Sequence, residues 1–375
     1  MTDRLAIRTD DTPRFRVAVA GVGSFSQRVL IPGLVATPGV EVVGLFGPTL
    51  AKVSDIAARN GVGASFDDFR RMLDETRPDS VVVATPNDVH HAMVLEAVER
   101  GMHVLCEKPL GVTFAEAEEM ARAAEVAGVR TAVNFTYRST VPFKHLWTLV
   151  QAGRVGRLRH FAISFQQGIR ADPTAPIAFR MLRERGGGAL LDVGIHMVDA
   201  LRWLAGEVVA VSGAARTVVT MRPDAAGGTA IARVTADDTA SFVACLEGGA
   251  TGTVQVSQVA YGRASYRRIE LSGDEGTAVL EEERGEPATV RLAPASTGRF
   301  AVVPTPFDID LPFDEFPRAH AIRIVRRLRG LPPVQGDDAW PGFADGVAAQ
   351  RVVDAVERSS SGAGWVATHA DGGRR

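Results

Sequence analysis

Four stretches of the chain bring together residue types that can do chemistry. The first is Gly21-Val22-Gly23-Ser24-Phe25-Ser26, which follows the apolar run at 17–20 and opens a helical period. Glycines two apart let the backbone turn sharply and approach a pyrophosphate, whose charge rests on the amides of a helix N-terminus. Ser26 takes the place of the third small residue that normally lets helix pack on strand. The second stretch, Ala84-Thr85-Pro86-Asn87-Asp88-Val89-His90, and the third, Glu107-Lys108-Pro109, each end an apolar run. Open α/β sheets bind ligands outside the carboxyl ends of their strands, so Thr85, Asn87, His90, Glu107 and Lys108 are expected at a cofactor crevice. A lysine there holds a substrate oxygen as a cationic donor, and Glu107 binds ribose hydroxyls or tunes the lysine; a plain surface ion pair is the alternative. The fourth stretch is Gly186-Gly187-Gly188-Ala189-Leu190-Leu191-Asp192-Val193-Gly194-Ile195-His196, with Asp199 one turn further on. Asp192 and His196 are four apart and share a face on a helix. A histidine near its reference pKa of about 6.5 exchanges protons at neutral pH, and a nearby carboxylate orients it. A satisfied Asp/His pair inside a core would show the same spacing.

The elements that must position these residues follow from hydrophobic period. Between residues 14 and 135 strands are expected at 17–20, 40–46, 80–84, 102–106 and 129–135, and helices at 26–36, 50–60, 67–75, 88–100 and 113–127. Strand and helix in strict alternation imply parallel pairing with crossover helices, an α/β Rossmann domain with a doubly wound parallel sheet. After Tyr137 the texture changes: a helix at 142–152, a strand at 158–165, an irregular stretch to 185 and a helix at 188–205. Strands with glycine turns at 248–249 and 273–276 follow without intervening helices, which implies an α+β domain with an open, mostly antiparallel sheet. Helices at 316–328 and 340–357 close the chain. The expected plan is a dinucleotide domain at 14–136, a substrate and oligomerisation domain at 137–366, and flexible ends at 1–13 and 367–375.

Composition narrows the function classes. The 375 residues suffice for two unequal domains, and 46% apolar with 23% charged residues is ordinary for a globular chain. A formal net charge of -2 offers no field to gather nucleic acid or an anionic membrane. No apolar run spans a bilayer and residues 1–16 are polar, so a soluble cytoplasmic protein is expected. Cys106 and Cys245 lie in apolar stretches as free thiols, which excludes paired-cysteine zinc sites, and the adjacent His90 and His91 point to different helix faces, so no metal is expected. The only lysines are Lys52, Lys108 and Lys144, which leaves 39 arginines and makes a lysine at a crevice conspicuous. At the end of the second strand, where NAD-specific domains place a carboxylate, stands Gly47. A carboxylate about 4 Å from a 2'-phosphate would cost about 4 kcal/mol per charge pair at an effective dielectric near 20, so its absence leans the cofactor from NAD towards NADP. Thr49 could donate a hydrogen bond and Lys52 a charge, or Lys52 is simply a solvated helix residue.

Together the four stretches resemble the glucose-fructose oxidoreductase, inositol dehydrogenase and MocA family (Gfo/Idh/MocA) over residues 15–365. The most specific marks are Ala84-Thr85-Pro86-Asn87 with His90, Glu107-Lys108-Pro109, and Gly187-Gly188-Ala189-Leu190-Leu191-Asp192 with Gly194 and His196; Asp237-Asp238-Thr239-Ala240 is similar too. The resemblance implies a Rossmann domain followed by an open-sheet domain, assembled through sheet faces into homodimers or homotetramers. It implies hydride transfer between nicotinamide C4 and a hydroxyl or carbonyl carbon of a sugar, cyclitol or related small molecule. By the same resemblance Lys108 binds and polarises the reacting oxygen, His196 exchanges its proton, Asp192 holds hydroxyls or orients the histidine, and Asn134, Tyr137, Arg138 and Arg180 line the pocket. The chain departs from the pattern at Ser26, at Gly47 and at Phe179, where many relatives have Trp. Two other readings stay open: a catalytically silent dinucleotide-binding regulator, and a reductase of a non-sugar substrate such as an imine, a dihydrodiol or a natural-product intermediate. Arg170, Arg180, Arg183 and Arg185 either bind an acidic substrate or are solvated loop charges.

Overall fold

The computed structural model describes residues 14–224, 230–305, 315–333, 338 and 340–368. Of the flexible ends expected at 1–13 and 367–375, all but Ala367 and Thr368 lie outside the described residues. The chain divides into two units, one of Met1–Gly111, Ala115–Thr136 and Asp310–Val347, the other of Val112–Phe114, Tyr137–Ile309 and Ala348–Arg375.

The first unit is built on six parallel strands, β1 (Phe15–Ala20), β2 (Val40–Phe46), β3 (Ser65–Phe66), β4 (Ser80–Val83), β5 (His103–Cys106) and β6 (Thr131–Val133), in the order β3-β2-β1-β4-β5-β6. The crossovers carry α1 (Ile31–Val35), α2 (Leu50–Arg59), α3 (Phe69–Thr76), α4 (His90–Glu99) and α5 (Phe114–Val126). β4 is buried at all four positions and β1 at five of six, the near-continuous apolar reading that helices on both faces of a parallel sheet require. Strand order reverses between β1 and β4, whose ends pair as Ala20 with Val83, so the turns after Ala20 and Val83 flank the switch point where such sheets take ligands.

Among the described residues the main sheet of the second unit has nine strands: β7 (Leu158–Gln166), β8 (Val208–Arg216), β11 (Thr239–Leu246), β12 (Thr251–Ser257), β13 (Tyr266–Gly273), β14 (Gly276–Glu282), β15 (Thr289–Pro294), β16 (Ala301–Val302) and β17 (Val366–Ala367). Their order is β16-β15-β14-β13-β7-β12-β11-β8-β17, and only β7 and β12 run parallel. A separate hairpin joins β9 (Met221–Pro223) to β10 (Ile231–Arg233). Phe161, Ile163 and Phe165 of β7 alternate with partly exposed neighbours, giving the sheet one buried face, and α6 (Val141–Gln151) and α7 (Ile195–Ala205) belong to this unit.

Three boundaries differ from the sequence expectation. α8 (Glu315–Leu328) belongs with the first unit, because its stripe of Ala321, Ile324, Val325 and Leu328 joins the core of Leu30, Ile31 and Leu34. α9 (Phe343–Arg358) starts three residues later than expected, after Pro341-Gly342, and the division between the units falls within it. Ala367 is a strand residue and the Thr368 amide donates to the Val209 carbonyl at 3.0 Å, so the second unit runs past residue 366.

Candidate active site

In the first unit β1 ends in a turn at Gly21, whose φ is +103°; a Cβ there would stand 2.2 Å from the Ala84 carbonyl oxygen beyond β4. Only glycine permits this crossing. No heavy atom lies within 4 Å of a Cβ placed on Gly23, and Gly23 and Ser24 are exposed. The turn before the helix is therefore uncovered at Gly23 and Ser24, leaving room beside the helix start where a pyrophosphate would be expected. Phe25 is half-buried, and the buried Ser26 begins a wide π-helical turn, Ser26–Leu30, that leads into α1. At the end of β2 a Cβ on Gly47 would meet Val53 at 3.0 Å and Val22 at 3.1 Å, so an acidic side chain in that slot would have to displace both valines. Thr49 and Lys52, on the following turn, are exposed.

Thr85, Glu107 and Lys108 are half-buried at this edge and Asn87 is buried. Two residues expected at the ligand crevice are instead fully buried. His90 has no accessible surface: Nδ1 lies 2.9 Å from the Pro109 carbonyl oxygen and Nε2 3.0 Å from that of Thr85. Burial, the main cause, holds its pKa below the ordinary value. Its ring lies between the Thr85 loop and the Lys108-Pro109 loop, whose peptide bond is cis, and as a neutral imidazole it donates to one of the two carbonyls. Asn134 is likewise fully buried; its Nδ2 donates to Glu107 Oε1 and its Oδ1 accepts from His320 Nε2 at 2.9 Å. His320 is pushed down to about 3 by burial and, secondarily, by Arg323, so it is neutral and can make that donation. Asn134 is thus a positioning residue for Glu107, whose other oxygen accepts from the Lys108 amide at 3.2 Å.

In the second unit the glycine run leads into a π-helical turn, Leu190–Gly194, continuous with α7. Gly188, at φ +121°, leaves room for the Asp237 carboxylate, which a Cβ would meet at 2.2 Å and which accepts the Leu190 amide at 2.8 Å. Burial raises Asp237 to about 6. Asp192 Oδ2 accepts from Gln258 Nε2 at 2.9 Å and from Arg170 Nη2 at 3.5 Å, while Oδ1 has Arg180 Nε at 3.6 Å. Arg170 is buried and also donates to the Arg180 carbonyl at 2.8 Å; burial works against its charge and Asp192 supports it. The His196 ring meets Tyr137 edge-on at 4.8 Å; Tyr137 stacks on Phe143 at 4.9 Å and lies 4.8 Å under the Arg267 guanidinium.

Arg138, expected in the pocket, is buried and forks onto Asp199 at 3.0 and 2.6 Å, so both are core residues. Of the loop arginines, Arg170 is spent on Asp192, Arg183 pairs with Glu357 at 2.6 Å, and Arg185 lies 5.6 Å over Phe179; Arg180 is exposed. Among the described residues no cluster of His, Cys, Asp and Glu could hold a metal ion, and no helix is long and apolar enough to cross a membrane.

Comparison with known proteins adds the lineage. Residues 15–135 match the oxidoreductase family with an NAD-binding Rossmann fold, and residues 143–279 match the GFO/IDH/MocA C-terminal domain. The structure of an oxidoreductase domain protein from Kribbella flavida is 30% identical, with a TM-score of 0.86, covering 96% of this chain and 100% of that one. The chain belongs to the Gfo/Idh/MocA oxidoreductase family. Levoglucosan dehydrogenase from Pseudarthrobacter phenanthrenivorans is 29% identical over 357 residues, 88% of this chain and 90% of that protein. A levoglucosan dehydrogenase structure in complex with NADH and levoglucosan has a TM-score of 0.85 at 26% identity, covering 95% of this chain and 100% of that one.

This Gfo/Idh/MocA chain contains three groups that sequence reading did not single out for the site. His320 reaches Asn134 across 186 residues, and through it Glu107, and Gln258 reaches Asp192 across 66 residues. Asp237 caps the Asp192 segment from 47 residues away. Nothing local marks the first two; Asp237 was visible only as part of a family-like stretch.

Proposed function

We propose that this family member is an NAD(P)-dependent dehydrogenase or reductase of sugar-like polyols and keto-sugars. When bound, the nicotinamide exchanges a hydride at its C4. Lys108 holds and polarises the reacting oxygen as a cationic donor, His196 takes or returns the hydroxyl proton, and Asp192 accepts hydrogen bonds from neighbouring hydroxyls. The observation that carries this reading is the half-buried Asp192 carboxylate, oriented by Gln258 and the buried Arg170 on one oxygen and by Arg180 at 3.6 Å on the other, on the turn that leads into the helix of His196. The likeness to levoglucosan dehydrogenase along most of both chains supports the substrate class. On the cofactor, valine packing around Gly47 and the exposed Thr49 and Lys52 support acceptance of NADPH at least as readily as NADH.

Nicotinamide fluorescence titrations with NADH and NADPH, followed by a polyol oxidation screen, test both statements. Lys108→Ala should lower kcat by orders of magnitude and leave dinucleotide affinity nearly intact, and His196→Asn should do the same while shifting the pH profile. Wild-type turnover in either variant removes that residue from the mechanism. NADH binding much tighter than NADPH overturns the Gly47 reading alone.

A further inference from the structure

The edge of the first unit's sheet opposite the Gly21 turn carries groups that the proposed reaction leaves unused. At the amino ends of β1, β4 and β5 lies a recess of about 870 Å3 walled by Arg14, Arg77, Arg100, Arg130, Arg329 and His103. A second recess, about 410 Å3, shares Arg130 and adds Arg323, Arg326 and Arg327. Among the described residues of the two walls, eight guanidinium groups thus face three carboxylates, Asp74, Asp79 and Asp338, in a chain whose formal net charge is -2. Arg100 pairs with Asp74 at 3.1 Å and with Glu96, whereas among the described residues Arg130, Arg326 and Arg327 each donate to a backbone carbonyl, of Leu328, Pro332 and Thr131, with no ion pair to a carboxylate.

Two local conflicts mark the same edge. Arg77 has φ +43°, the only left-handed non-glycine among the described residues, at the helix end where glycine is the relaxed choice. Arg130 aims its backbone amide at His103 Nδ1, 3.1 Å away, and its guanidinium at Nε2. A neutral imidazole accepts at one nitrogen only and a charged one at neither, so His103 cannot satisfy both donors. An anion drawing the Arg130 guanidinium away from the ring removes this conflict. It also relieves repulsion among the clustered cations and gives their forks oxygen partners.

We propose that this edge binds a molecule carrying several phosphate groups, an oligophosphate or a multiply phosphorylated small metabolite, remote from the dinucleotide turn. A concave wall with a volume in the range of small-molecule sites favours such a ligand over a flat duplex or a membrane.

Calorimetric titration of the full chain with tripolyphosphate at low salt, with and without saturating NADH, tests the proposal. Saturable binding that NADH leaves unchanged is expected. Arg77→Glu and Arg14→Glu should each weaken it at least ~10-fold, about one charge-assisted contact. Arg77→Gly suits the left-handed backbone, so it should match or exceed the wild-type Tm while still losing affinity, which separates ligand binding from folding. The proposal is overturned by no saturable binding, by displacement with NADH, or by variants that titrate like wild type. Binding of a short DNA duplex or of phosphatidylserine vesicles without tripolyphosphate binding overturns it as well. The Arg77 variants report on this edge whether or not the chain binds NADH, so failure here and failure of the proposed reaction are distinguishable.

Discussion

Replacing Asp237 by Asn is expected to stabilise the second unit, by an amount that grows with pH. The side chain is 4% exposed, accepts the Leu190 amide at 2.8 Å, and no ion pair within the described residues offsets its burial. Burial lifts its pKa from 3.8 to about 6. The native state then holds the proton more tightly than the unfolded chain, so stability falls as pH rises from about 4 to about 6 and stays lowered above that. A window of about two pH units at 1.36 kcal/mol each corresponds to about 3 kcal/mol. Asparagine keeps an oxygen for the Leu190 amide and cannot ionise, but a neutral acceptor is weaker by about 1 kcal/mol. The net expectation is a gain of about 2 kcal/mol at pH 8 and none, or a loss of about 1 kcal/mol, at pH 4. Urea unfolding followed by fluorescence of Trp147 and Trp203, which stack at 5.8 Å in this unit, measures both. A variant less stable than wild type at pH 8, or a difference that does not change with pH, would refute the reasoning.

Gln258→Leu removes the donor to Asp192 Oδ2 while sparing the fold, since Gln258 Oε1 is already buried without a partner among the described residues. Steady-state kinetics should show KM raised about 10-fold, one lost contact to a charged group, with kcat changed less, and an unaltered KM would separate Asp192 from substrate binding. Arg138→Ala strips the fork from the buried Asp199 and should cost about 3 to 5 kcal/mol, read as a lower Tm, while NADH affinity holds. Combining it with Asp199→Leu should recover much of that loss, because no carboxylate is then left buried without its partner; failure to recover would mean packing, not charge, sets the cost.

How much of this was legible in the sequence depended on how local each signal is. Five of the six Rossmann strands were readable because a strand buried on both faces is apolar throughout, as Ser80–Val83 is after its first residue, whereas the two-residue Ser65–Phe66 is too short to carry that signal. The hairpins at 248–249 and 273–276 were equally local. The nine-strand order was not, since β7 lies between β13 and β12 and β17 pairs with β8 from the other end of the unit. α8 shows the same split: its apolar period was readable, yet its partner depends on Gly33, where a Cβ would stand 2.2 Å from the Pro317 carbonyl oxygen. Polar type misled at His90, Asn134 and Arg138. A polar side chain that faces a ligand and one paired inside a core both need partners, and residue identity does not distinguish them.

That ambiguity has a physical consequence for the candidate site. Glu107 is held by Asn134, itself fixed by a histidine that stays neutral, and Asp192 is held by Gln258 and a buried arginine. The holders are buried and the held groups are only partly so: Asn134, Gln258, Arg170 and His320 are all within the core, while Glu107, Lys108 and Asp192 are half-buried. Burying a polar group is tolerable only when it is hydrogen-bonded, and a bond made there restricts both partners to one rotamer. The Glu107 and Asp192 carboxylates are therefore oriented by the fold itself, through buried neighbours. Substitutions at the holders should then change KM or kcat through geometry, whereas the same substitutions on exposed Lys52 or Thr49 can act only by changing a direct contact.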